Sequence, residues 1–303
     1  MAAVSSARVP DSAGVGARAH ALIARIPTVV LWGIVIIWTI PSFGLLVNSF
    51  REPKAQRRSG WWNAFTDPSF TVDAYHRALT QRGGGALSMW DYFLNSMAIT
   101  LPATVIPIGI AALAAYAFAW MKFPGRHWLF IATIALMAIP LQAALLPLLE
   151  IFGRNGLDIL GTHMALWLAH TAFGLPLAIF LLHNYISGLP KDLFEAIRID
   201  GADHFRIFTR LVLPLSTPAL ASFAIFQFLW VWNDYLVALV FVQASDPTQS
   251  PMTVQLVNQV TSKGRGLELL PASAFISMLL PLVIFFALQR FFVRGLLAGS
   301  VKG

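Results

Sequence analysis

The stretch Glu195-Ala196-Ile197-Arg198-Ile199-Asp200-Gly201, with Ala202-Asp203 behind it and Leu211-Val212-Leu213-Pro214 further on, is a polar island between two long apolar blocks. Its local pattern is that of a helix-turn-helix knob, here taken as residues 187–216. Gly188 and Pro190 end the preceding helix, and a short helix can start at Pro190, whose missing amide hydrogen costs nothing in a first turn. Leu189, Leu193, Ala196 and Ile197 are expected to share one face, and Lys191, Asp192, Glu195 and Arg198 the other. Gly201 is expected to stop this helix in the left-handed conformation, and Asp203 to cap the next. Phe205, Phe208, Leu211 and Val212 would then form a second apolar stripe, with Pro214 and Pro218 marking the return into apolar surroundings.

Outward from the knob the chain is membrane protein. It has 303 residues, of which 57% are hydrophobic and only 12% charged, and its mean hydropathy is +0.69. Ordinary soluble chains are about 45 to 50% apolar. The apolar residues come in blocks of roughly twenty, the length a helix needs to cross the hydrocarbon. Six spans are expected, at 27–49, 94–120, 128–152, 164–186, 218–242 and 272–293, within a transmembrane domain of 26–295. Residues 1–25 read as a disordered N-terminal tail, rich in Ala, Ser and Gly, and 296–303 as a short C-terminal tail. Asn48, Ser49, Phe50 and Arg51 follow the first block with no small-residue cleavage site, so it reads as an anchor. The chain holds no cysteine, which excludes disulfides, thiolate metal sites and cysteine nucleophiles.

Orientation follows from lysine and arginine near the span ends. With both termini cytoplasmic, Lys122, Arg126, Lys191, Arg198, Arg206 and Arg210 lie inside. The first external loop opposes the rule, with Arg51, Lys54, Arg57, Arg58, Arg77 and Arg82. It is long, and long segments translocate with less regard to charge. The net charge of +7 needs no nucleic acid, because basic residues on the anionic inner leaflet account for it.

In span five, Gln227, Trp230 and Asp234 fall at i, i+3 and i+7, with Asn233 beside them, so a continuous helix would set them on one stripe lining a wet path. About thirteen Leu, Ile, Phe and Val residues favour insertion by roughly 4 to 8 kcal/mol, against about 2.5 to 3.5 for one central aspartate. Asp234 must therefore face protein or water. Two readings stand: Trp230 and Asp234 contact a hydroxyl-bearing solute in that path, or Trp232-Asn233-Asp234 is an interhelical clasp. His163, His170 and His183 lack the i, i+4 pairing of a helical zinc site and read as packing or interface residues. Pro102, Pro107, Pro140 and Pro147 are expected to kink spans two and three. The polar loop from Gln243 to Pro271 is long enough to reach outward.

The knob resembles the EAA motif of ATP-binding-cassette importer permeases: Glu-Ala-Ala, three residues, Gly, nine residues, then Ile-x-Leu-Pro. Here Ile197 replaces the second alanine and Leu211 the isoleucine, with the spacing kept from Glu195 through Gly201 to Leu213-Pro214. Leu189-Pro190-Lys191, Trp232-Asn233-Asp234 and the ending Gln289 through Gly295 are similar to the carbohydrate branch, and Gly60-Trp61-Trp62 to permeases for α-glucosides. The resemblance implies an all-α integral membrane protein of six transmembrane helices with a cytoplasmic coupling helix, the type I ABC importer permease fold, in a bacterial or archaeal cytoplasmic membrane. It also implies a second homologous permease subunit, two cytoplasmic ATPase subunits that bind ATP and Mg, and an extracytoplasmic sugar-binding protein. Glu195, Ala196, Ile197, Asp200, Gly201, Leu213 and Pro214 would dock on the ATPase, while the loop after span five would meet the binding protein.

The residues agree on one point. No Gly-Lys dipeptide occurs, so no P-loop is present, and no catalytic or cofactor-binding residue is assigned to this chain. For Glu195 the alternative to docking is a local ion pair with Lys191 or Arg198, worth about 0.3 to 0.5 kcal/mol. A proton-coupled sugar carrier and an intramembrane hydrolase are the rival classes. The first has only Asp234 as a clear mid-span acid, and for the second no spacing unites a nucleophile with a base. For the solute the resemblance implies an α-glucoside or other di- or oligosaccharide, with a glycerol-phosphate or glucosylglycerol-type compound as the alternative.

Overall fold

In the computed structural model, which describes residues 28–81, 87–243, 245–261 and 267–300, the chain is a helical bundle. The expected tail at 1–25, Arg82, and the loop cations Lys263 and Arg265 lie outside the described residues. Among the described residues five helices are long and apolar enough to cross a membrane, or six if a bent pair counts as one span.

Helix α1 (Thr28–Ser49) buries only Gly44 and Ser49, so its Ile, Val and Trp side chains stand outward, as a lipid-facing helix requires. After it come α2 (Pro53–Arg58), a 3-10 turn at Trp61–Phe65 and α3 (Asp73–Thr80). Helix α4 (Met89–Trp120) starts five residues before the expected 94 because Ser88 and Asp91 form a capping box. The Ser88 hydroxyl accepts from the Asp91 amide at 3.3 Å, and the Asp91 carboxylate accepts from the Ser88 amide at 2.9 Å.

The core is the pairing of α4 with the helix of span four, defined below as α7. Ala103, Ala111, Ala112 and Ala115 face Ala165, Ala169 and Ala178 across it, all buried. Lipid is as apolar as leucine, so small residues that let backbones approach are what favour such a pair.

The expected third span, 128–152, is not one helix. It is α5 (Arg126–Ala135), a 3-10 turn at Leu136–Ala138, and α6 (Leu141–Phe152), with the two arms bent by 102°. Ile139 precedes Pro140 and is extended (φ −76°, ψ 118°), which stops the first arm, and Pro140 opens the second. Helix α7 (His163–Ser187) matches its expected bounds to one residue.

Span five also departs from expectation. After α8 (Lys191–Ile199), one helical path runs from His204 to Trp232, made of α9 (His204–Ile207), a π turn at Phe208–Val212 and α10 (Leu213–Trp232). Pro214 and Pro218 are inside this path and do not interrupt it. The Leu213 amide donates five residues back, to Phe208 O, and this widened turn gives the Pro214 ring room that an α-turn denies it. At the far end the helix stops at Trp232, ten residues short of the expected 242, followed by α11 (Leu236–Ala238) and a second π turn at Leu239–Gln243.

Of the segment expected as an outward loop, 243–271, the described residues 245–261 fold back on the bundle. They contain α12 (Met252–Thr261), with Met252 buried and its amide donating to Ser96 Oγ at 2.8 Å. Asn95 Nδ2 donates to Thr248 O and Ser250 O at 2.7 and 3.1 Å. The last helix, α13 (Leu270–Ser300), carries the backbone through most of the expected tail at 296–303.

These contacts define two ends. Trp120 Nε1 donates to Ile186 O at 3.0 Å and Tyr116 Oη lies 2.8 Å from His204 Nδ1, so the knob sits where α4 and α7 finish. The described residues of the first loop, residues 153–162, and the described residues 233–243, 245–261 and 267–269 lie at the other end, where the Gly161 amide donates to Phe241 O at 2.8 Å.

Much of the basic first loop is internally engaged. Arg51 is 1% exposed, and its guanidinium donates to Asn48 Oδ1, Ala55 O, Ser59 O, Ser59 Oγ and Gly60 O at 2.7 to 3.3 Å. Arg57 and Arg77 both pair with Glu268, at 2.9 and 3.5 Å. Of the cations that opposed the charge rule, Arg51 thus holds the loop's own fold, and Arg57 and Arg77 tie the loop to the turn before the last helix. Trp61 packs on Gly44, where an added Cβ would lie 2.6 Å from the indole nitrogen.

Candidate functional site

The knob forms from its caps inward. Pro190 precedes α8, and Gly201 closes it at φ +73°, the left-handed region that only glycine enters freely. The Gly201 amide donates to Arg198 O at 3.0 Å and the Ala202 amide to Ile197 O at 3.2 Å, the paired bonds of a Schellman stop. Asp203 Oδ1 then accepts from the Arg206 amide at 2.8 Å and opens the next helix.

The faces of α8 differ from the expected stripe. Phe194, not Leu193, is the residue turned inward: it is 1% exposed and stacks on Trp120. Ile197 is half-buried beside it, while Leu193 and Ala196 are exposed. A nine-residue helix lying across the bundle end has one narrow inward line, and the largest ring takes it. In the second stripe Phe208 and Val212 are buried and Leu211 half-buried, but Phe205 stands out.

The outward surface of the knob therefore carries Leu193, Glu195, Ala196, Ile199, Asp200, Gly201 and Phe205, with Ile199 86% exposed. Pro214 is exposed and Leu213 half-buried on the helix behind. Among the described residues Glu195 forms no ion pair with Lys191 or Arg198, or with any other cation within 4 Å.

The span-five residues do not share one stripe, because the helix ends between Trp230 and Asp234. Gln227 is fully buried, its Nε2 donating to Ala103 O at 3.1 Å and His170 O at 3.5 Å, and its amide fills the space left by Gly174. Trp230 lies edge-on to the His170 ring, centroids 5.2 Å apart. Asn233 is exposed and donates to Leu229 O at 2.7 Å.

Asp234 caps α11: its carboxylate accepts from the Val237 and Ala238 amides at 3.3 and 3.1 Å. It also lies 3.6 Å from His170 Nε2, and Thr253 Oγ1 donates to its backbone carbonyl at 2.6 Å. His170 is the partner that sequence reasoning missed, and no local spacing connects α7 to the end of α10. His163 Nε2 lies 3.1 Å from Gln249 O, and His183 packs its ring on Phe130 at 4.2 Å. Among the described residues no three His, Asp or Glu side chains converge as a metal site needs.

Residues 105–297, which include the knob and the break after α10, match the family of binding-protein-dependent transport system inner membrane components. The chain belongs to that family. The permease is 54% identical to an osmoprotective compounds uptake permease protein of Synechocystis sp. over 273 residues, 89% of each chain. It is 52% identical to an alpha-glucoside transport system permease protein of Rhizobium meliloti, over 84% of this chain and 68% of the relative. Its fold matches a chain in the crystal structure of a bacterial ABC transporter involved in the import of the acidic polysaccharide alginate. That match has a TM-score of 0.71 at 20% identity and covers 91% of this chain and 98% of the other. The permease thus has the ABC importer fold in the inner membrane, and its relatives are transport subunits, not enzymes.

Proposed function

We propose that this permease imports an α-glucoside or a related small glucosylated solute by alternating access, driven by ATP hydrolysis on separate subunits. The support is the pair of relatives above half identity, one named for alpha-glucoside transport and one for osmoprotective compounds. The knob is the proposed seat of the ATPase. Glu195 offers a carboxylate with no ion pair among the described residues, and Ala196, Ile199 and Phe205 give an apolar surface beside it. ATP and Mg belong to that partner, a homologous permease completes the cavity, and a binding protein delivers the solute at the opposite end. A ligand shifts an equilibrium only by its differential affinity, so the loaded binding protein must favour the outward-facing state. On this reading both termini are cytoplasmic.

The reading is tested by reconstituting the permease with its partner subunits in liposomes and measuring ATP hydrolysis and uptake. Trehalose, sucrose, maltose, glucosylglycerol and glycerol phosphate are compared through the binding protein. Stimulation by one or more glucosylated solutes supports it. Uptake driven by a proton gradient, with ATP absent, would replace it with the secondary-carrier reading.

A further inference from the structure

A cavity of about 250 Å³ lies between the α4–α5 turn and α8, lined by Ala119, Trp120, Lys122, Arg126, Lys191, Phe194, Glu195 and Arg198. Four of those side chains are cations and one is a carboxylate. Among the described residues none of the four makes an ion pair within 4 Å, and Arg126 donates only to the Met121 carbonyl, at 3.0 Å. Like charges crowded at one rim repel, so an anion is the missing component.

We propose that this cavity holds the headgroup of an anionic phospholipid, seated between the end of α4 and the coupling helix. The volume falls below the roughly 300 Å³ at which ordinary small-molecule pockets begin, which suits a phosphate with a short polar substituent better than a nucleotide. The level in the membrane selects lipid as the source of that phosphate. Lys122 stands two residues past the end of α4 at Trp120. Trp128, 75% exposed, and the exposed Leu129 stand in the first turn of α5 beside Arg126. Exposed tryptophan marks the headgroup depth, and the apolar surface below it accommodates acyl chains. Basic pockets at helix ends on the cytoplasmic side attract anionic headgroups at about 1 kcal/mol per cation. The stacked Trp120 and Phe194 form the cavity wall, so a bound headgroup would brace the coupling helix on its membrane flank; of the lining residues, Glu195 alone also belongs to the proposed docking surface. The inference rests on the proposed cytoplasmic seating of the knob, but not on the identity of the solute.

The test is lipid retention by the transporter complex, purified with its partner subunits from bilayers of phosphatidylcholine with a minor share of phosphatidylglycerol and read by native mass spectrometry. The comparison is Lys122→Gln/Lys191→Gln, since both lysines are exposed and without an ion pair among the described residues, and neither is among the proposed docking residues. Wild type is expected to keep one phosphatidylglycerol that the variant retains about 30-fold less well, and Lys122→Arg/Lys191→Arg to restore it. Equal retention by wild type and the glutamine variant overturns the proposal. So does displacement of the lipid by millimolar inorganic phosphate, which identifies a free-anion site. Loss of the ATPase subunit from the glutamine variant with its lipid unchanged overturns it too, by assigning the cations to docking. No sugar enters the measurement, so a wrong solute leaves its result intact.

Discussion

The ring of Phe194 lies face to face on the indole of Trp120, centroids 3.5 Å apart and planes 13° from parallel. The coupling helix is thereby fixed to the end of the longest helix in the core, and Trp120 Nε1 ties that end to α7 through Ile186 O. This stack and the Tyr116–His204 contact join the knob to the two central helices.

Phe194→Ala removes that contact. Truncating a buried phenylalanine costs about 3 to 5 kcal/mol, and Phe194→Leu is expected to cost less. Thermal unfolding in detergent should show the order, and in the reconstituted transporter Phe194→Ala should uncouple ATP hydrolysis from uptake. Wild-type uptake by Phe194→Ala at equal abundance would remove the stack from the coupling path.

At Gly201 the constraint is conformational. A Cβ there meets nothing within 4 Å, so the penalty comes from φ +73° alone, about 1 to 2 kcal/mol for Gly201→Ala and less for Gly201→Asn. Gly201→Asp is expected to insert normally yet lose coupling, because it adds charge to the docking surface. Undiminished uptake in that variant, at wild-type abundance in the membrane, speaks against docking at the knob.

Asp234 separates two roles. Asp234→Asn keeps an acceptor for the α11 amides, whereas Asp234→Ala loses the cap, about 0.5 to 2 kcal/mol, and leaves His170 without its carboxylate. As a clasp, Asp234 predicts impaired assembly for Ala and near-normal assembly for Asn. Should both variants assemble fully while the solute response disappears, the carboxylate is a substrate contact instead.

Arg51 supports the first loop from inside. Arg51→Met orphans the carbonyl of Ser59, at about 1 to 3 kcal/mol if left buried and unbonded, and removes one of the donors to those of Ala55 and Gly60, which keep the Ser59 and Asn63 amides. Arg51→Lys cannot reproduce the fork and should fall between. Limited proteolysis of 50–81 reads the effect directly: protection equal to wild type in both variants means the guanidinium is dispensable.

The caps of the knob were legible because they are local. Pro190, Gly201 and Asp203 act on bonds no more than five residues away, and each is where its chemistry required. The inward face of α8 was not legible, since Leu193 and Phe194 are adjacent apolar residues and only the position of Trp120 selects between them. Span five misled for a related reason: Leu236 to Val242 is as apolar as what precedes it, and hydropathy does not register that Asp234 caps a new turn. At span three, Pro140 announced a bend, but its 102° size depends on what the two arms pack against.

By itself the sequence determined that this chain lives in a membrane, roughly where it crosses, and where its polar knob starts and stops, because length, hydropathy and capping are properties of contiguous residues. The tertiary structure alone decided which sides of the helices are interior, that His170 meets Asp234, that Arg51 is buried and that four cations surround one cavity. In a bilayer a helix can be apolar all round, so periodicity no longer distinguishes lipid from core, and only the packed neighbours do.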